Sequence, residues 1–300
     1  MRGKGKRELM EEEKKQGDVS LIDWPKAQYW SENNGAFNPY IGCVADEWTS
    51  PACANCYARE MSNKFGMADN FKLTKKPNAK MPNTGVVFCG NMSDLWVEQI
   101  PDEERKRWFF DCFRRDANGF ALRDENGRPW AKDATFLWLT KRVPKMVDFV
   151  LHSPTCLSAP NCWWGMTGEN QEWYDKRVEY IRKLHDSLIP DIKMQKQHTW
   201  LSAEPLLGDI DLGEKPPFEW VVVGCESGKR ARPCDIGWIC HIVKQCQDKG
   251  IAVFVKQLPD AHGHLVRDIE KFPEDLRIRQ MPFPHEFGGK KRKAKKSDNN

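Results

Sequence analysis

The sequence predicts an α/β fold in which about six parallel strands form a partial (β/α) barrel, with irregular N-terminal and C-terminal extensions. Two observations predict it. Six short apolar runs after residue 80 lack the polar alternation of a half-exposed strand, which is typical of strands buried on both faces of a parallel sheet. Amphipathic segments separate these runs, and alternating strands and helices favour a barrel or an open doubly wound sheet.

Each predicted element follows from this pattern. The predicted strands occupy residues 85–90, 135–139, 162–166, 199–201, 220–223 and 251–255, and residues 36–41 form an opening strand before them. The predicted helices occupy residues 103–115, 172–184 and 238–249, where apolar side chains recur at helical spacing among charges. The polar, glycine-containing segment 116–132 is interpreted as an insertion.

Composition indicates a globular protein that is neither secreted nor membrane-bound. The chain has 300 residues, of which 40% are hydrophobic, so it has enough apolar side chains for a large core. No apolar run approaches the roughly 20 residues that a membrane helix needs, and the charged N-terminus lacks the apolar region of a secretion signal. The odd count of 11 cysteines then favours reduced thiols, so we expect a cytoplasmic protein without a membrane partner.

Charge divides the chain into three segments. Residues 1–18 form a charged extension, residues 19–289 the folded body, and residues 290–300 a basic tail with six Lys or Arg and one Asp. Because the tail carries +5 and the extension +1 of the net +4, the body is at −2. The body is therefore not a basic nucleic-acid clamp. The tail either attracts DNA, RNA or an acidic surface, or is a solvated terminus.

Three cysteines lie close together early in the body. Cys43, Cys53 and Cys56 include one C-x-x-C pair, and no histidine is near them. Thiolates bind soft metals, and three protein ligands leave one coordination position vacant. The spacing alone does not distinguish zinc from an iron–sulfur cluster, and a chance grouping among 11 cysteines also stays open.

Polar side chains follow nearly every predicted strand. In βα barrels the C-terminal ends of the strands form the active-site face. A helix cap or a solvated loop explains any one of these residues alone, but six such strand ends favour one shared site with the cysteines on its rim. The residues are Asn91, Ser93 and Asp94, then Lys141 and Arg142, Thr167, Glu169 and Asn170, Ser202 and Glu204, Glu226 and Ser227, and Lys256 and Gln257.

A cysteine trio after the first strand of such a fold resembles the radical S-adenosylmethionine (radical SAM) superfamily. The chain is also similar to a phage-encoded cysteine-trio family catalogued as a domain of unknown function. The matching pieces are NPYIGC (38–43), CANCYA (53–58), MSDL (92–95), LTKR (139–142), GENQ (168–171), LSAEPLL (201–207), GCESG (224–228) with Arg232-Pro233, and FVKQ (254–257). Two features depart from the common C-x3-C-x-aromatic-C pattern: nine residues separate Cys43 from Cys53, and Asn55 replaces the aromatic residue.

The resemblance implies a cofactor and roles for the strand-end residues. Three thiolates would bind three irons of a 4Fe–4S cluster, and the fourth iron would bind the amino and carboxylate groups of SAM, whose cleavage yields a 5′-deoxyadenosyl radical. The expected SAM contacts are Asn91, Ser93 and Asp94 at the methionine end, Glu169 at the ribose, Thr167 on the same rim, and Tyr57 in place of the missing aromatic residue. The residues expected to face the substrate are Glu204, Glu226, Lys141, Arg232 and Lys256.

The phage kinship and the basic tail lead to a hypothesis for the substrate. The enzyme would be an isomerase that rearranges an amino-acid adduct on a modified thymine in phage DNA, with flavodoxin or ferredoxin as reductant. Two alternatives stay open. One is a zinc-stapled interaction protein that needs a fourth thiol, for which Cys89 is available, and the other is a SAM-binding protein without catalysis.

Overall fold

The computed structural model describes residues 35–123, 130–157, 159–187, 197–228, 230–260 and 262–283. The predicted extension 1–18 and basic tail 290–300 lie outside these ranges. Within them, no helix is both long and apolar enough to cross a membrane.

Strands and helices alternate through most of the described chain. The strands are β1 (Gly35–Phe37), β2 (Tyr40–Ile41), β3 (Thr74–Lys75), β4 (Thr84–Cys89), β5 (Asp133–Thr140), β6 (Cys162–Thr167), β7 (His198–Ala203), β8 (Trp220–Gly224), β9 (Ala252–Pro259) and β10 (Leu265–Val266). The α-helices are α1 (Tyr57–Phe65), α2 (Asp102–Phe110), α3 (Val143–Leu151), α4 (Pro154–Leu157), α5 (Gln171–His185) and α6 (Ile236–Lys249). Short 3₁₀ helices occupy Pro51–Cys53, Asp69–Phe71, Ile269–Lys271 and Glu274–Leu276.

The main sheet has eight strands in the order β1-β4-β5-β6-β7-β8-β9-β10. All neighbours are parallel except β9 and β10, which are antiparallel. The predicted α/β fold is confirmed, although the sheet has more strands than predicted. The predicted opening strand is in fact two strands, because Pro39 lacks the N–H that a continuous ladder needs. β1 joins the main sheet, whereas β2 pairs with β3 in a separate two-stranded sheet.

The helices also differ from prediction in part. The helix predicted at 103–115 ends at Phe110, because the residues after it form isolated bridges between Phe113 and Ala131 and between Arg115 and Ala121. The helices at 172–184 and 238–249 are confirmed within two residues at each end. Neither α1 nor α3 was predicted. Most of α3 is apolar and buried, so its sequence lacks the polar stripe that marks an amphipathic helix.

The two faces of the sheet bury different side chains, since successive residues of a strand point to opposite faces. One face packs against the helices. The other face, here called the aromatic face, carries Leu137, Trp163, Trp200, Trp220 and Phe254, all less than 4% exposed. Because side chains alternate between the two faces along each strand, the positions of these rings show which residues at the end of a strand point to the same face.

Gly165 makes room for one of these rings. A Cβ atom at Gly165 would lie 2.4 Å from Cε2 and from Nε1 of Trp200, far inside van der Waals contact. We predict that Gly165→Ala lowers the free energy of unfolding by about 1–3 kcal/mol, as overpacking of a core does. Urea unfolding of Gly165→Ala, Trp200→Phe and the double variant measures the loss of unfolding free energy in each. Phenylalanine lacks the clashing atoms, so the two losses should be less than additive; additive losses would contradict this explanation.

Candidate functional site at the carboxyl ends of the strands

The three predicted metal ligands lie in one loop between β2 and α1. This cysteine loop, residues 42–56, contains Cys43, Cys53 and Cys56, all half-buried. Gly42 begins it with a φ of 93°, and a Cβ atom there would lie 2.3 Å from the carbonyl oxygen of Lys72. Only glycine fits this approach. The N–H of Gly42 donates to the Met92 carbonyl at 3.0 Å, which fixes Cys43 beside the segment that follows β4.

Arg142, just after β5, connects the start of the cysteine loop to the sheet. Its Nη2 donates to the Val44 carbonyl at 2.5 Å and its Nε to Asp46 Oδ2 at 2.6 Å. Its Nη1 donates to Asp94 Oδ2 at 3.0 Å. The Asp94 carboxylate also accepts the backbone N–H of Lys141 at 3.0 Å, so one arginine joins the loop to the ends of β4 and β5.

Arg177 of α5 connects the middle of the loop to β6. Its Nη1 donates to Glu169 Oε2 at 2.6 Å, and both side chains are fully buried. Its Nη2 donates to the Trp48 carbonyl at 3.4 Å, and its Nε to the Lys141 carbonyl at 3.1 Å. The hydroxyl of Ser50 donates to the other oxygen of Glu169. The loop thus contacts both members of a buried ion pair.

Arg232 connects the end of the loop to β8. Its Nη1 donates to the Pro51 carbonyl at 3.0 Å, and its Nε to Glu226 Oε2 at 2.8 Å. Its Nη2 donates to the other oxygen of Glu226. Asn55 completes the arrangement, since its Nδ2 donates to Glu226 Oε2 at 3.1 Å.

These three contacts share one geometry and are here called the arginine clamps. In each clamp, an arginine donates both to a backbone carbonyl of the cysteine loop and to a carboxylate that follows a strand. The clamp arginines are Arg142, Arg177 and Arg232, and their carboxylates are Asp94, Glu169 and Glu226 respectively. The clamps attach the loop at several points to the carboxyl ends of β4, β5, β6 and β8.

The clamp carboxylates are held ionised. Burial opposes ionisation of Glu169, but Lys141, Arg177 and the hydrogen bond from Ser50 outweigh it and lower its pKa below the usual value. Burial likewise opposes ionisation of Asp94, and Arg142 with neighbouring hydrogen bonds lowers its pKa. Paired in this way, these carboxylates act as structural anchors of the loop.

The thiol of Cys43 has a different electrostatic balance. Burial raises its pKa above the usual value, nearby Asp94 raises it further, and Arg142 opposes both. Binding of a metal there therefore releases a proton. In the described part of the chain, no group of three or more His, Cys, Asp or Glu side chains is arranged to hold a metal ion.

Two predicted cofactor contacts carry buried polar atoms with no partner. Asn91 and Ser93 are 7% and 9% exposed, and neither Asn91 Oδ1 nor Ser93 Oγ has a hydrogen-bond partner in the described structure. An unpaired buried polar atom costs about 1–3 kcal/mol, so such atoms are rare in folded proteins. The hydroxyl of Tyr57 donates to the Asn91 carbonyl, which places these atoms beside the start of α1. Their arrangement suits a polar ligand at this point.

The predicted substrate-facing residues divide into two groups. Glu226 and Arg232 belong to a clamp. Glu204 and Lys256 instead pair with each other, with N–O distances of 2.7 and 2.8 Å, and each side chain is 17% exposed. Gln257 donates to Glu204 Oε1 at 3.1 Å and so orients the pair.

Thr167 ends β6 on the aromatic side of the sheet, and Lys141 follows β5 in a bend. Thr167 alternates with Trp163 along β6, so it points towards the same side as the aromatic rings. Lys141 lies beyond the last residue of β5, Thr140, so strand alternation does not set its direction. Within the described ranges the ammonium of Lys141 forms no ion pair, whereas that of Lys256 does.

Sequence reasoning identified the strand-end residues but missed part of their surroundings. It assigned Asp94, Glu169 and Glu226 to ligands; the structure engages all three in clamps, and direct ligand contact by them stays a prediction. It missed Arg177, although the sequence carries a signal for it. Arg177 falls on the stripe of α5 that also buries Trp173, Tyr174, Val178, Ile181 and Leu184, where a charged residue needs a buried partner.

Comparison with known proteins gives a family assignment. No curated protein and no solved structure matches the chain. Residues 26–296 match the family described as "Protein of unknown function (DUF5131)". The match includes the cysteine loop, the three arginine clamps and every described strand and helix. The chain therefore belongs to the DUF5131 family of proteins of unknown function.

Proposed function

We propose that the protein is a radical SAM enzyme whose 4Fe–4S cluster is bound by Cys43, Cys53 and Cys56. One observation carries the proposal. Three thiols share a loop that is clamped onto the ends of parallel strands, beside Asn91 Oδ1 and Ser93 Oγ, two buried atoms that have no partner among the described residues. A soft-metal donor set and a polar ligand position thus occur together.

The number of cysteines supports a cluster with one open iron. In a 4Fe–4S cluster each thiolate binds a different iron, so three cysteines leave one iron for another ligand. A structural zinc site instead needs a fourth protein ligand.

The chain's own residues then have distinct tasks. When bound, the cluster and SAM would supply one-electron chemistry that removes a hydrogen atom from the substrate. Asn91 Oδ1 would accept a hydrogen bond from the amino group of SAM, and the hydroxyl of Ser93 would donate one to its carboxylate. Tyr57, whose hydroxyl donates to the Asn91 carbonyl, would contact SAM in place of the missing aromatic residue.

We also propose that the sheet is a partial (β/α) barrel. The spatial order of the parallel strands follows their order in the chain. A doubly wound sheet instead reverses its strand order at a switch point. The continuous band of large rings on the aromatic face supports the same interpretation, because barrel interiors are filled by side chains.

The substrate side of the proposal rests on charge. Lys141, which forms no ion pair within the described ranges but acts electrostatically on Glu169, contributes a cation, and the Glu204–Lys256 pair contributes both signs, so the site favours a substrate with an anionic group. DNA that carries an amino-acid adduct on a modified thymine has anionic groups. The reaction that we propose is isomerisation of that adduct. A flavodoxin or ferredoxin would supply the electron.

The test of the function is an assay for 5′-deoxyadenosine. Protein purified and reconstituted without oxygen should be brown and should form 5′-deoxyadenosine from SAM only when dithionite is present. A colourless protein that binds zinc and forms no 5′-deoxyadenosine would reject the proposal. A brown protein without this product would indicate a SAM-binding member without catalysis.

Lys141 provides a prediction for the substrate. We expect Lys141→Met to reduce conversion of the thymine adduct at least tenfold, because the site loses the cation that pairs with the anionic group, about 1.4 kcal/mol or more. Formation of 5′-deoxyadenosine without substrate should not change. Mass spectrometry of nucleosides from phage DNA made with each variant measures conversion.

Lys145→Met is the matched control. Lys145 also follows β5, but it pairs with Glu98 at 3.5 Å and Asp102 at 3.7 Å. Its nucleoside profile should match that of the unchanged protein. If DNA made with and without an active gene has the same nucleosides, the proposed substrate is wrong.

A further inference from the structure

We propose that Arg142, Arg177 and Arg232 are positioning residues that hold the cysteine loop ready for the cluster before any cofactor binds. The use of the loop as a cluster site rests on the proposed function. The holding of the loop by the arginines does not, and it is testable in the protein without cofactor.

The cysteine loop has little structure of its own. Its only described helix is the 3₁₀ turn Pro51–Cys53. The remaining internal bonds from backbone N–H groups lie in one short turn: the N–H of Thr49 donates to the Asp46 carbonyl at 3.0 Å, that of Asp46 to Thr49 Oγ1 at 2.9 Å, and that of Trp48 to Asp46 Oδ1 at 2.9 Å. Ordering a residue costs about 1–2 kcal/mol of backbone entropy. Because nine residues separate Cys43 from Cys53, the loop needs external contacts to keep one conformation.

The clamps supply these contacts close to each cysteine. Arg142 binds the carbonyl of Val44, the neighbour of Cys43. Arg232 binds the carbonyl of Pro51, two residues before Cys53. Its partner Glu226 accepts from Asn55, the neighbour of Cys56. Arg177 fixes the middle of the loop through Trp48.

Arginine is suited to this task in a way that lysine is not. The planar guanidinium carries five donors in a fixed fork, so it can bind a carboxylate and a carbonyl together in one geometry. Arg232 uses Nε and Nη2 on Glu226 while Nη1 reaches the Pro51 carbonyl. The ammonium of a lysine is a point charge and cannot reproduce this set of directions.

Hydrogen–deuterium exchange of the cofactor-free full chain tests the proposal. In Arg232→Met, the amides of residues 52–57 should exchange about tenfold faster or more, since several charge-assisted hydrogen bonds are lost. Arg232 is preferred to the fully buried Arg177 because its side chain is 32% exposed, so its replacement leaves the core intact.

Arg182→Met is the matched control. Arg182 lies on α5, its side chain is 34% exposed, and it also donates to a carboxylate and a carbonyl, those of Glu179 at 3.2 Å and Lys215 at 2.7 Å. Exchange of the amides of residues 52–57 should not change in this variant. Unchanged exchange of these residues in Arg232→Met would overturn the proposal.

A second measurement separates this proposal from the proposed function. Iron bound per chain after reconstitution without oxygen should be lower in Arg232→Met than in Arg182→Met, and Arg232→Lys should not restore it. If the loop exchanges faster in Arg232→Met but the unchanged protein never binds iron, the proposed role of the clamps stands and the proposed cluster is rejected. If Arg232→Met binds a full complement of iron and its loop amides exchange at the unchanged rate, the proposed cluster stands and the proposed role of the clamps is rejected.

Discussion

Replacement of Cys43, Cys53 or Cys56 by alanine is expected to reduce bound iron and 5′-deoxyadenosine formation to background. Each of the three thiolates binds one iron of a 4Fe–4S cluster. The loss of any one therefore leaves a second iron without a protein ligand. Iron analysis and visible absorption after reconstitution without oxygen measure binding, and chromatography of the SAM products measures turnover.

Cys240→Ala is the control for these three variants. Cys240 is also half-buried but lies on α6, outside the cysteine loop. This variant should bind as much iron as the unchanged protein. Retention of iron and turnover by any variant of the trio would show that its thiol is not a ligand.

The second large effect concerns the buried pair of Glu169 and Arg177. We expect Glu169→Gln to lower the free energy of unfolding by about 3–5 kcal/mol, because it leaves the fully buried guanidinium of Arg177 without its counter-charge. Removal of both charges in Glu169→Leu with Arg177→Met should recover part of the loss. Urea unfolding of the single and double variants measures both effects.

The pH dependence of stability has a definite sign. Glu169 has a lower pKa in the folded protein than usual, so its stabilising contribution is complete above the pKa of the unfolded chain, about 4.3. The contribution falls as the pH drops below that value through the folded pKa. The unchanged protein should therefore lose more stability on acidification than Glu169→Gln does.

An exposed ion pair provides the comparison for this prediction. Lys244 and Asp248 pair on the surface of α6 at 2.8 Å, with side chains 71% and 56% exposed. Such helical pairs contribute about 0.3–0.5 kcal/mol. If Glu169→Gln costs no more than Asp248→Asn, the buried pair does not anchor the loop as described.

Much of the sheet was predictable because its strands are short, apolar and bounded by polar residues. β6, for example, is buried along its whole length, and its predicted bounds differ from the observed ones by one residue. The division of the opening strand at Pro39 follows from local chemistry, but its pairing does not. Which sheet each half joins depends on contacts with β3 and β4, far along the chain.

The candidate site was predictable in position but not in internal pairing. Strand ends in a parallel sheet share one edge, so residues such as Glu169 and Glu226 were expected there. Their partners come from distant parts of the chain. Ser50 is 119 residues from Glu169 and Asn55 is 171 residues from Glu226, and no local pattern connects them. For this reason the sequence predicted ligand contacts by these residues, which stay a prediction, but not the clamps in which the structure engages them.

The central claim is that three thiols of one clamped loop bind a 4Fe–4S cluster with an open iron. Electron paramagnetic resonance of the reconstituted, dithionite-reduced protein tests it most directly. We predict the signal of a reduced 4Fe–4S cluster, and we predict that added SAM changes its g values because SAM binds the open iron. A cluster signal that SAM leaves unchanged, or a reduced protein without any cluster signal, would contradict the claim.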